Sequence, residues 1–298
     1  MAVPNLCALT AEIESVSLLR HIGHVTSVKD GLIQVRGLAQ HARIGDQLEL
    51  QRDLGSVLIG EVLQVDQDHL NMLPDSAPDG VSVGNKVTIR QTSGFAPGPH
   101  WLGRVIDPFG QPLDGRPLLR GEMTCDLMRS PPAAVQRKPL GERIPTGLAV
   151  LNTMLPLVQG QRVGLFAGSG VGKSNLLATL AKSMKADVVV VALIGERGRE
   201  VSEFVEQTLG PEGMKRAVVV AATSDQSALV RRRCAWAAMS VAEMMRDAGH
   251  SVLFLADSIT RFAEAHREIS VAMGEAPALR GYPPSVTPLI TGLCERAG

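Results

Sequence analysis

Aromatic residues are scarce in this sequence of 298 residues, which contains six Phe, two Trp and one Tyr. Residues 24–90 hold none of them, which argues against the stacking platforms that bind single-stranded nucleic acid. Cysteine is also rare, and Cys7, Cys125, Cys234 and Cys294 are too far apart for a metal-binding motif. We therefore expect reduced thiols in a cytoplasmic protein.

The chain also lacks an excess of either charge, since 30 Lys and Arg balance 30 Asp and Glu. This balance gives no reason to expect nucleic acid or an anionic membrane as the main partner. No apolar run is long enough for a membrane span, and residues 1–5 lack the features of a signal peptide. A chain of this length is expected to form two domains.

Three regions differ in their sequence pattern. Residues 1–22 form a predicted N-terminal arm with apolar residues at helical spacing, which either packs on its own domain or binds a partner. Residues 23–92 alternate apolar and polar residues between turns and predict a small antiparallel β-barrel. Residues 93–298 begin with a Gly- and Pro-rich stretch and then alternate strands with helices, which predicts a mostly parallel α/β sheet.

The α/β region has four expected strands, at 162–166, 187–194, 217–222 and 251–256. Helices are expected at 173–186, 200–209 and 226–248. The apolar strands indicate a sheet that is covered on both faces. Ligands in such sheets bind beyond the carboxyl ends of the strands.

A glycine-rich run at 167–174 lies between the first expected strand and the first expected helix. This context is typical of a phosphate-binding loop, whose backbone N–H groups converge on phosphate oxygens at a helix N-terminus. Lys173 would reach the terminal phosphates, and Ser174 would offer its hydroxyl to Mg²⁺. Ala167 replaces the first glycine of the usual pattern, and a turn without a ligand is the alternative. The predicted loop residues are Gly168, Ser169, Gly170, Val171, Gly172, Lys173 and Ser174.

Acidic residues follow two of the other strands. Asp257 could hold Mg²⁺ opposite Ser174, directly or through water, although such a residue can also be a turn or cap residue. Glu196 could orient a water for attack on a terminal phosphate, and an ordinary capped helix start is the alternative. Arg197 could stabilise the charged site or link it to a neighbouring subunit.

Several strings of residues together resemble the flagellar and type III secretion export ATPases, relatives of the rotary ATP synthase beta subunit. The strings lie at 102–107, 112–115, 160–174, 194–201, 223–227, 231–233, 257–263, 267–269 and 280–286. The resemblance covers about residues 24–298, and Ala167 is typical of the export branch. It implies a homo-hexamer of RecA-like domains crowned by the small barrels, with ATP bound at the subunit interfaces.

The resemblance also implies roles for individual residues. Glu196 would position the attacking water, because non-catalytic relatives carry Gln at this position. Lys173, Ser174 and Asp257 keep their roles toward phosphate and Mg²⁺, and Arg197 is carried over as a catalytic-site arginine. Asn175, where most relatives carry Thr, joins the predicted nucleotide-binding residues with slightly altered contacts.

The implied function is ATP hydrolysis coupled to flagellar protein export at the inner face of the cytoplasmic membrane. The implied partners are a regulator, stalk and gate proteins, exported substrates and their chaperones, with no specific nucleic acid. Four alternatives stay open: an injectisome ATPase, a catalytic ATP synthase subunit, a hexameric RNA helicase or translocase, and an inactive binding module. Family members continue well past residue 298, so we expect a chain of this length to bind ATP weakly and to turn over little.

Two features of the expected helix at 226–248 have simpler interpretations. The triplet Arg231, Arg232 and Arg233 points in three directions on a helix, which favours a solvated or subunit-facing surface over nucleic acid binding. Met239, Met244 and Met245 are expected to pack in the core.

Overall fold

A computed structural model describes residues 19–29, 31–53, 55–90, 94–168 and 171–297. These residues form two compact units. The first contains the described residues up to Gly94 together with 227–229 and 265–283, and the second contains 95–226, 230–264 and the residues from 284 onwards. The predicted boundaries at 22/23 and 92/93 stay predictions. Most of the predicted arm, with Cys7, lies outside the described residues.

The first unit is built on a closed antiparallel barrel, as predicted. Its strands are β1 (Ile22–Lys29), β2 (Leu32–Arg36), β3 (Gln47–Gln51), β4 (Val57–Val65), β5 (His69–Pro74) and β6 (Lys86–Ile89). They are ordered β1-β2-β5-β4-β3-β6, and β6 pairs back with β1. Alternate residues of each strand fill the interior with Val, Ile, Leu and Met side chains, so no aromatic residue is needed there.

A second apolar cluster extends this unit beyond the barrel. Leu63 of β4 packs with Leu229 and Ile269, which come from much later in the sequence. This contact explains why the segments 227–229 and 265–283 group with the barrel residues.

The second unit contains a parallel sheet of four strands in the order β12-β10-β11-β7. These strands are β7 (Arg104–Ile106), β10 (Val188–Glu196), β11 (Ala217–Thr223) and β12 (Val252–Asp257). The last three confirm predicted strands, whereas β7 lies in the stretch that the sequence indicated as loop-rich. A two-stranded ribbon, β8 (Arg143–Ile144) and β9 (Leu157–Val158), precedes the glycine-rich run.

Seven α-helices are described. They are α1 (Ala149–Thr153), α2 (Lys173–Ser183), α3 (Gly198–Glu203), α4 (Gly210–Met214), α5 (Ala228–Asp247), α6 (Ile259–Ala272) and α7 (Val286–Arg296). A π-helical turn, Phe204–Leu209, joins α3 to α4, and 3₁₀ turns lie at Pro99–Trp101, Ala134–Gln136 and Leu279–Gly281. Within the described ranges, no helix combines the length and hydropathy that a membrane span requires.

The sheet of the second unit is covered on both faces, as the apolar strands predicted. Successive residues of β10 face opposite sides, so Val190 and Ala192 pack with residues of α5. On the other side, Val191 and Leu193 pack with α2 and with Phe204 and Leu209. The second of these apolar layers holds α2 against the sheet.

The strand predicted at 162–166 is wrong: these residues are described and form no strand. The side chain of Phe166 is 98% exposed. Arg162 instead donates from Nη1 to the Glu295 carboxylate at 2.7 Å and to the Cys294 carbonyl at 2.9 Å. A short apolar run becomes a strand only when a neighbouring edge supplies backbone hydrogen bonds.

The arginine triplet diverges as predicted, but Arg232 does not lie on the expected solvated or subunit-facing surface. Arg232 is buried and lies over the Trp236 ring at 5.1 Å. Arg233 donates from Nε to the Pro108 carbonyl at 3.1 Å. Arg231 is half-buried. Arg232 therefore packs within this unit, and for Arg231 and Arg233 a subunit-facing role stays a prediction. Met239, Met244 and Met245 pack in the core, as expected.

An ion pair buried between α5 and α7 anchors the last described helix. Arg296 donates from Nε and Nη2 to the two carboxylate oxygens of Glu243, at 2.9 and 2.8 Å. Both side chains are almost fully buried. Arg296 also donates to the Leu127 carbonyl at 2.6 Å. Such a pair is costly to break from one side, because the remaining charge stays buried without its partner.

We expect Glu243→Ala to lower the free energy of unfolding by about 3–5 kcal/mol, since it leaves the Arg296 guanidinium buried without its carboxylate partner. Replacing both residues, as Glu243→Leu with Arg296→Met, should recover most of this loss. Thermal unfolding followed by circular dichroism measures both effects. Lys215→Ala is the control, because its pair with Glu212 is exposed and worth about 0–1 kcal/mol. A double variant no more stable than the single one would contradict this account.

Candidate nucleotide site

The candidate site begins where the glycine-rich run turns into α2. Gly172 has a φ of 92°, a left-handed conformation that favours glycine, and the helix starts at the next residue, Lys173. A Cβ built on Gly168 would meet no atom within 4 Å, and Val171 is exposed. A Cβ built on Gly172 would also meet no atom within 4 Å. Ser169 and Gly170 lie outside the described residues.

Three of the predicted site residues converge at this point. Asp257, the last residue of β12, lies with Oδ1 2.6 Å from the Lys173 ammonium. Its Oδ2 accepts from the Ser174 hydroxyl at 3.4 Å. The side chain of Asp257 is 8% exposed and that of Lys173 is 30% exposed. A nearly buried carboxylate therefore faces both residues that the sequence assigned to phosphate and Mg²⁺.

The carboxylate of Asp257 fits a role as metal ligand. Its buried Oδ1 lies 2.6 Å from the Lys173 ammonium, so a single cation balances its charge. No group of three or more His, Cys, Asp or Glu side chains among the described residues could hold a metal alone. Mg²⁺ commonly uses one or two protein oxygens plus substrate phosphates and water, which the pair Ser174 and Asp257 matches.

Glu196 ends β10 at the same edge of the sheet. Gly195 before it has a φ of 68°, and the pairing of β10 with β11 shifts register there. Burial raises the pKa of Glu196 to about 7, aided by a hydrogen bond with Glu200 and by the negative charge of Asp257. A carboxyl that titrates near neutral pH is suited to accept a proton or a hydrogen bond from water.

No described contact joins Arg197 or Asn175 to the carboxylate of Asp257. The side chain of Arg197 is 82% exposed and its Nη1 lies 3.5 Å from the Glu200 carboxylate. Asn175 is exposed in the first turn of α2, and its carbonyl accepts from the Thr179 hydroxyl. Their predicted roles in catalysis and nucleotide binding stay predictions.

Sequence reasoning did not single out Arg261, which also borders the site. It lies on α6, four residues after Asp257, and donates to Glu264 at 2.9 Å. A Cβ built on Gly195 would lie 3.4 Å from the Cβ of Arg261. The hydrogen bond with Glu264 raises the pKa of Arg261, and the charges of Glu196 and Glu200 contribute. The sequence feature that could have identified Arg261 is its position one helical turn after Asp257, an acidic residue at the end of a strand.

Comparison with known proteins gives these residues a family context. Residues 147–298 match the family model of the ATP synthase alpha/beta family, nucleotide-binding domain. The flagellum-specific ATP synthase of Caulobacter vibrioides is 45% identical over 98% of this chain and 66% of its own length. That of Treponema pallidum is 43% identical over 100% of this chain and 67% of its own length. The type 3 secretion system ATPase of Xanthomonas euvesicatoria is 38% identical over 97% of this chain and 66% of its own length.

A solved structure has the same fold. The assembled ATPase EscN of the enteropathogenic E. coli type III secretion system aligns with a TM-score of 0.82 and 36% identity. The alignment covers 93% of this chain and 66% of EscN. The predicted fold, a RecA-like domain preceded by a small antiparallel barrel, is therefore confirmed. The chain spans about two thirds of the length of the relatives it matches.

We expect the raised pKa of Glu196 to make the stability of the chain depend on pH. The folded pKa is about 7 and the ordinary value is 4.5, so the folded state binds the proton more tightly. Stability is therefore lost as the pH rises through this window. Glu196→Gln should remove this fall, so that its Tm rises relative to the wild type between about pH 5 and about pH 8.

Thermal unfolding across this pH range checks the expectation. The exposed Glu212→Gln serves as the control, since its Tm difference from the wild type should stay constant with pH. A constant difference for Glu196→Gln as well would show that Glu196 does not titrate in this range.

Proposed function

The chain belongs to the ATP synthase alpha/beta family, and from that premise we propose that it binds and hydrolyses Mg²⁺·ATP to energise protein export by a flagellar type III apparatus. The observation that carries this proposal is the convergence of Lys173 and Ser174 on the carboxylate of Asp257. The relatives named flagellum-specific ATP synthase, at 40–45% identity, support the flagellar system.

Each residue of the site has a role in this proposal. The amides around Gly172 and the N-terminus of α2 bind phosphate oxygens, and the Lys173 ammonium binds the terminal phosphates. The Ser174 hydroxyl and the Asp257 carboxylate hold Mg²⁺, which when bound neutralises charge on the phosphate oxygens. Glu196 accepts a hydrogen bond from the attacking water and holds it in line with the terminal phosphate.

The geometry of the site implies an exchange of partners at Asp257 when nucleotide binds. The Lys173 ammonium lies 2.6 Å from this carboxylate and balances its charge. When Lys173 turns to a phosphate, Asp257 needs another cation, because its side chain is nearly buried. Binding of nucleotide and binding of Mg²⁺ are therefore expected to depend on each other.

The partners of this site are part of the same proposal. We infer a homo-hexamer with ATP at the subunit interfaces, acting with regulator, stalk and gate proteins on exported substrates and their chaperones at the inner face of the cytoplasmic membrane. EscN has been solved as an assembled ATPase and in complex with its central stalk EscO, which supports an assembly of this kind.

An injectisome export ATPase is the second candidate. The relative from Xanthomonas euvesicatoria and the likeness to EscN favour it. The two systems differ in the substrates that they export, so complementation separates them. The gene extended to the length of its relatives should restore motility to a strain that lacks its flagellar export ATPase. Restored secretion through an injectisome without motility would favour the second candidate.

We expect Lys173→Ala to weaken Mg²⁺·ATP binding about 10- to 100-fold, since a hydrogen bond to a charged group is worth about 1.5–3 kcal/mol. Isothermal titration calorimetry on the 298-residue chain measures the affinity. Lys215→Ala, an exposed lysine paired with Glu212, is the matched control for loss of charge. Unchanged binding by Lys173→Ala would contradict the proposal that this site binds nucleotide.

We expect the 298-residue chain to turn over ATP about 10³–10⁵-fold more slowly than a chain extended to the length of its relatives. The longer chain would supply an arginine across the subunit interface, and a residue of this kind has an effect of that size in related phosphoryl transfer. Steady-state ATPase rates of the two chains at equal concentration test this. Equal rates would contradict it.

A further inference from the structure

Two side chains hold the far end of α2. Ser183, its last residue, donates from Oγ to the Thr146 carbonyl, and an arginine binds several carbonyls. Arg216 precedes β11 and directs its guanidinium at the carbonyls that end the helix. Its Nη2 donates to the carbonyls of Ala181 and Lys182 at 2.9 and 2.8 Å. Its Nη1 donates to the carbonyls of Met184 and Ala186 at 3.2 and 2.9 Å. One side chain thus binds two carbonyls in the last turn of α2 and two carbonyls of the residues that follow it.

This arrangement solves a general problem of helix ends. The last four carbonyls of a helix have no partner within it, and their dipoles favour a cation nearby. A planar guanidinium with five donors can bind several of them at once, in a fixed orientation. The backbone of Arg216 is itself fixed, because its carbonyl accepts from the Val189 amide of β10 at 2.8 Å. Arg216 therefore ties the end of α2 to the start of the sheet.

Apolar packing alone holds α2 weakly against sliding. Its buried face consists of Leu177, Ala178, Leu180 and Ala181, of which two are alanines. Apolar contacts are not directional, whereas hydrogen bonds fix distance and angle. A helix of 11 residues is about 16 Å long and moves as a rod. A shift at Ser183 is therefore passed on to Lys173 at the other end.

We propose that Arg216 is a positioning residue for the nucleotide site. By fixing the end of α2 to the sheet, it sets where Lys173 and Ser174 stand relative to Asp257. This inference rests on the proposed function, because it assigns Arg216 to the same site. Arg216 itself does not touch the phosphates, since it binds the opposite end of the helix.

A cavity beside Arg216 makes the inference testable by substitution. The space has a volume of about 580 Å³ and is bordered by Lys182, Lys185, Glu212 and Arg216. Water can therefore reach the carbonyls when the side chain is shortened, and the helix can keep its hydrogen bonding. What is lost is the fixed connection to the sheet. Lys185 borders the same cavity with the same charge and gives a matched control.

The experiment compares Arg216→Ala, Arg216→Lys and Lys185→Ala in the 298-residue chain. The first readout is the affinity for a fluorescent methylanthraniloyl-ATP with Mg²⁺. We expect about a tenfold loss for Arg216→Ala, because small displacements far from a site can cost up to about 100-fold. Arg216→Lys should retain part of the affinity, since an ammonium binds fewer of the four carbonyls. Lys185→Ala should bind like the wild type.

The second readout needs no nucleotide. The Leu176 amide forms the first hydrogen bond of α2, to the Gly172 carbonyl at 3.0 Å. Its hydrogen exchange should be faster in Arg216→Ala than in the wild type and unchanged in Lys185→Ala. If Arg216→Ala does not fold, Arg216→Lys and Arg216→Gln take its place in both measurements.

The outcomes separate this inference from the proposed function. Reduced affinity with faster exchange, specific to position 216, supports a positioning role. Unchanged affinity and exchange in Arg216→Ala, or equal effects in Lys185→Ala, overturns it. If the wild-type chain binds no nucleotide, the proposed function fails, and the exchange of the Leu176 amide alone decides whether Arg216 positions the start of α2.

Discussion

The charge of Asp257 is the constraint on which the candidate site depends. Its side chain is only 8% exposed, and a buried carboxylate without a cation is costly. The register of β12 against β10, which pairs Asp257 with Leu193, places this carboxylate at the edge where α2 begins. Lys173 then supplies the compensating charge. A divalent cation at the same carboxylate would keep the charge balanced and release the ammonium for a phosphate.

Glu196 lies near the same carboxylate, which disfavours its ionised form. Burial and the neighbouring Glu200 and Asp257 carboxyls disfavour its ionised form and raise its pKa to about 7. A cation added beside Asp257 would favour the ionised form, since positive charge lowers the pKa of a nearby carboxyl. The residue proposed to hold the attacking water would thus become the better acceptor when the metal is in place.

Local patterns made much of this arrangement predictable. The apolar runs of β10, β11 and β12, the acids at two of their ends and the glycines before Lys173 are all visible in the sequence. The failed strand at 162–166 shows the limit, because strand formation depends on a partner edge that a short run does not encode. Arg216 carried no signal, since its partners are backbone carbonyls 30–35 residues earlier. Backbone carbonyls are present at every position and leave no pattern.

Among the described strands, the barrel of the first unit has no edge strand, whereas the sheet of the second unit has edge strands. The barrel closes on itself, so each of its strands has two neighbours. The sheet ends at β12, which pairs with β10 on one side and with no described strand on the other. Four of its six residues are only half-buried, although it carries Asp257. An edge strand is held from one side only. The contacts of Asp257 with Lys173 and Ser174 therefore help to fix the end of β12, in addition to any role in binding phosphate and metal.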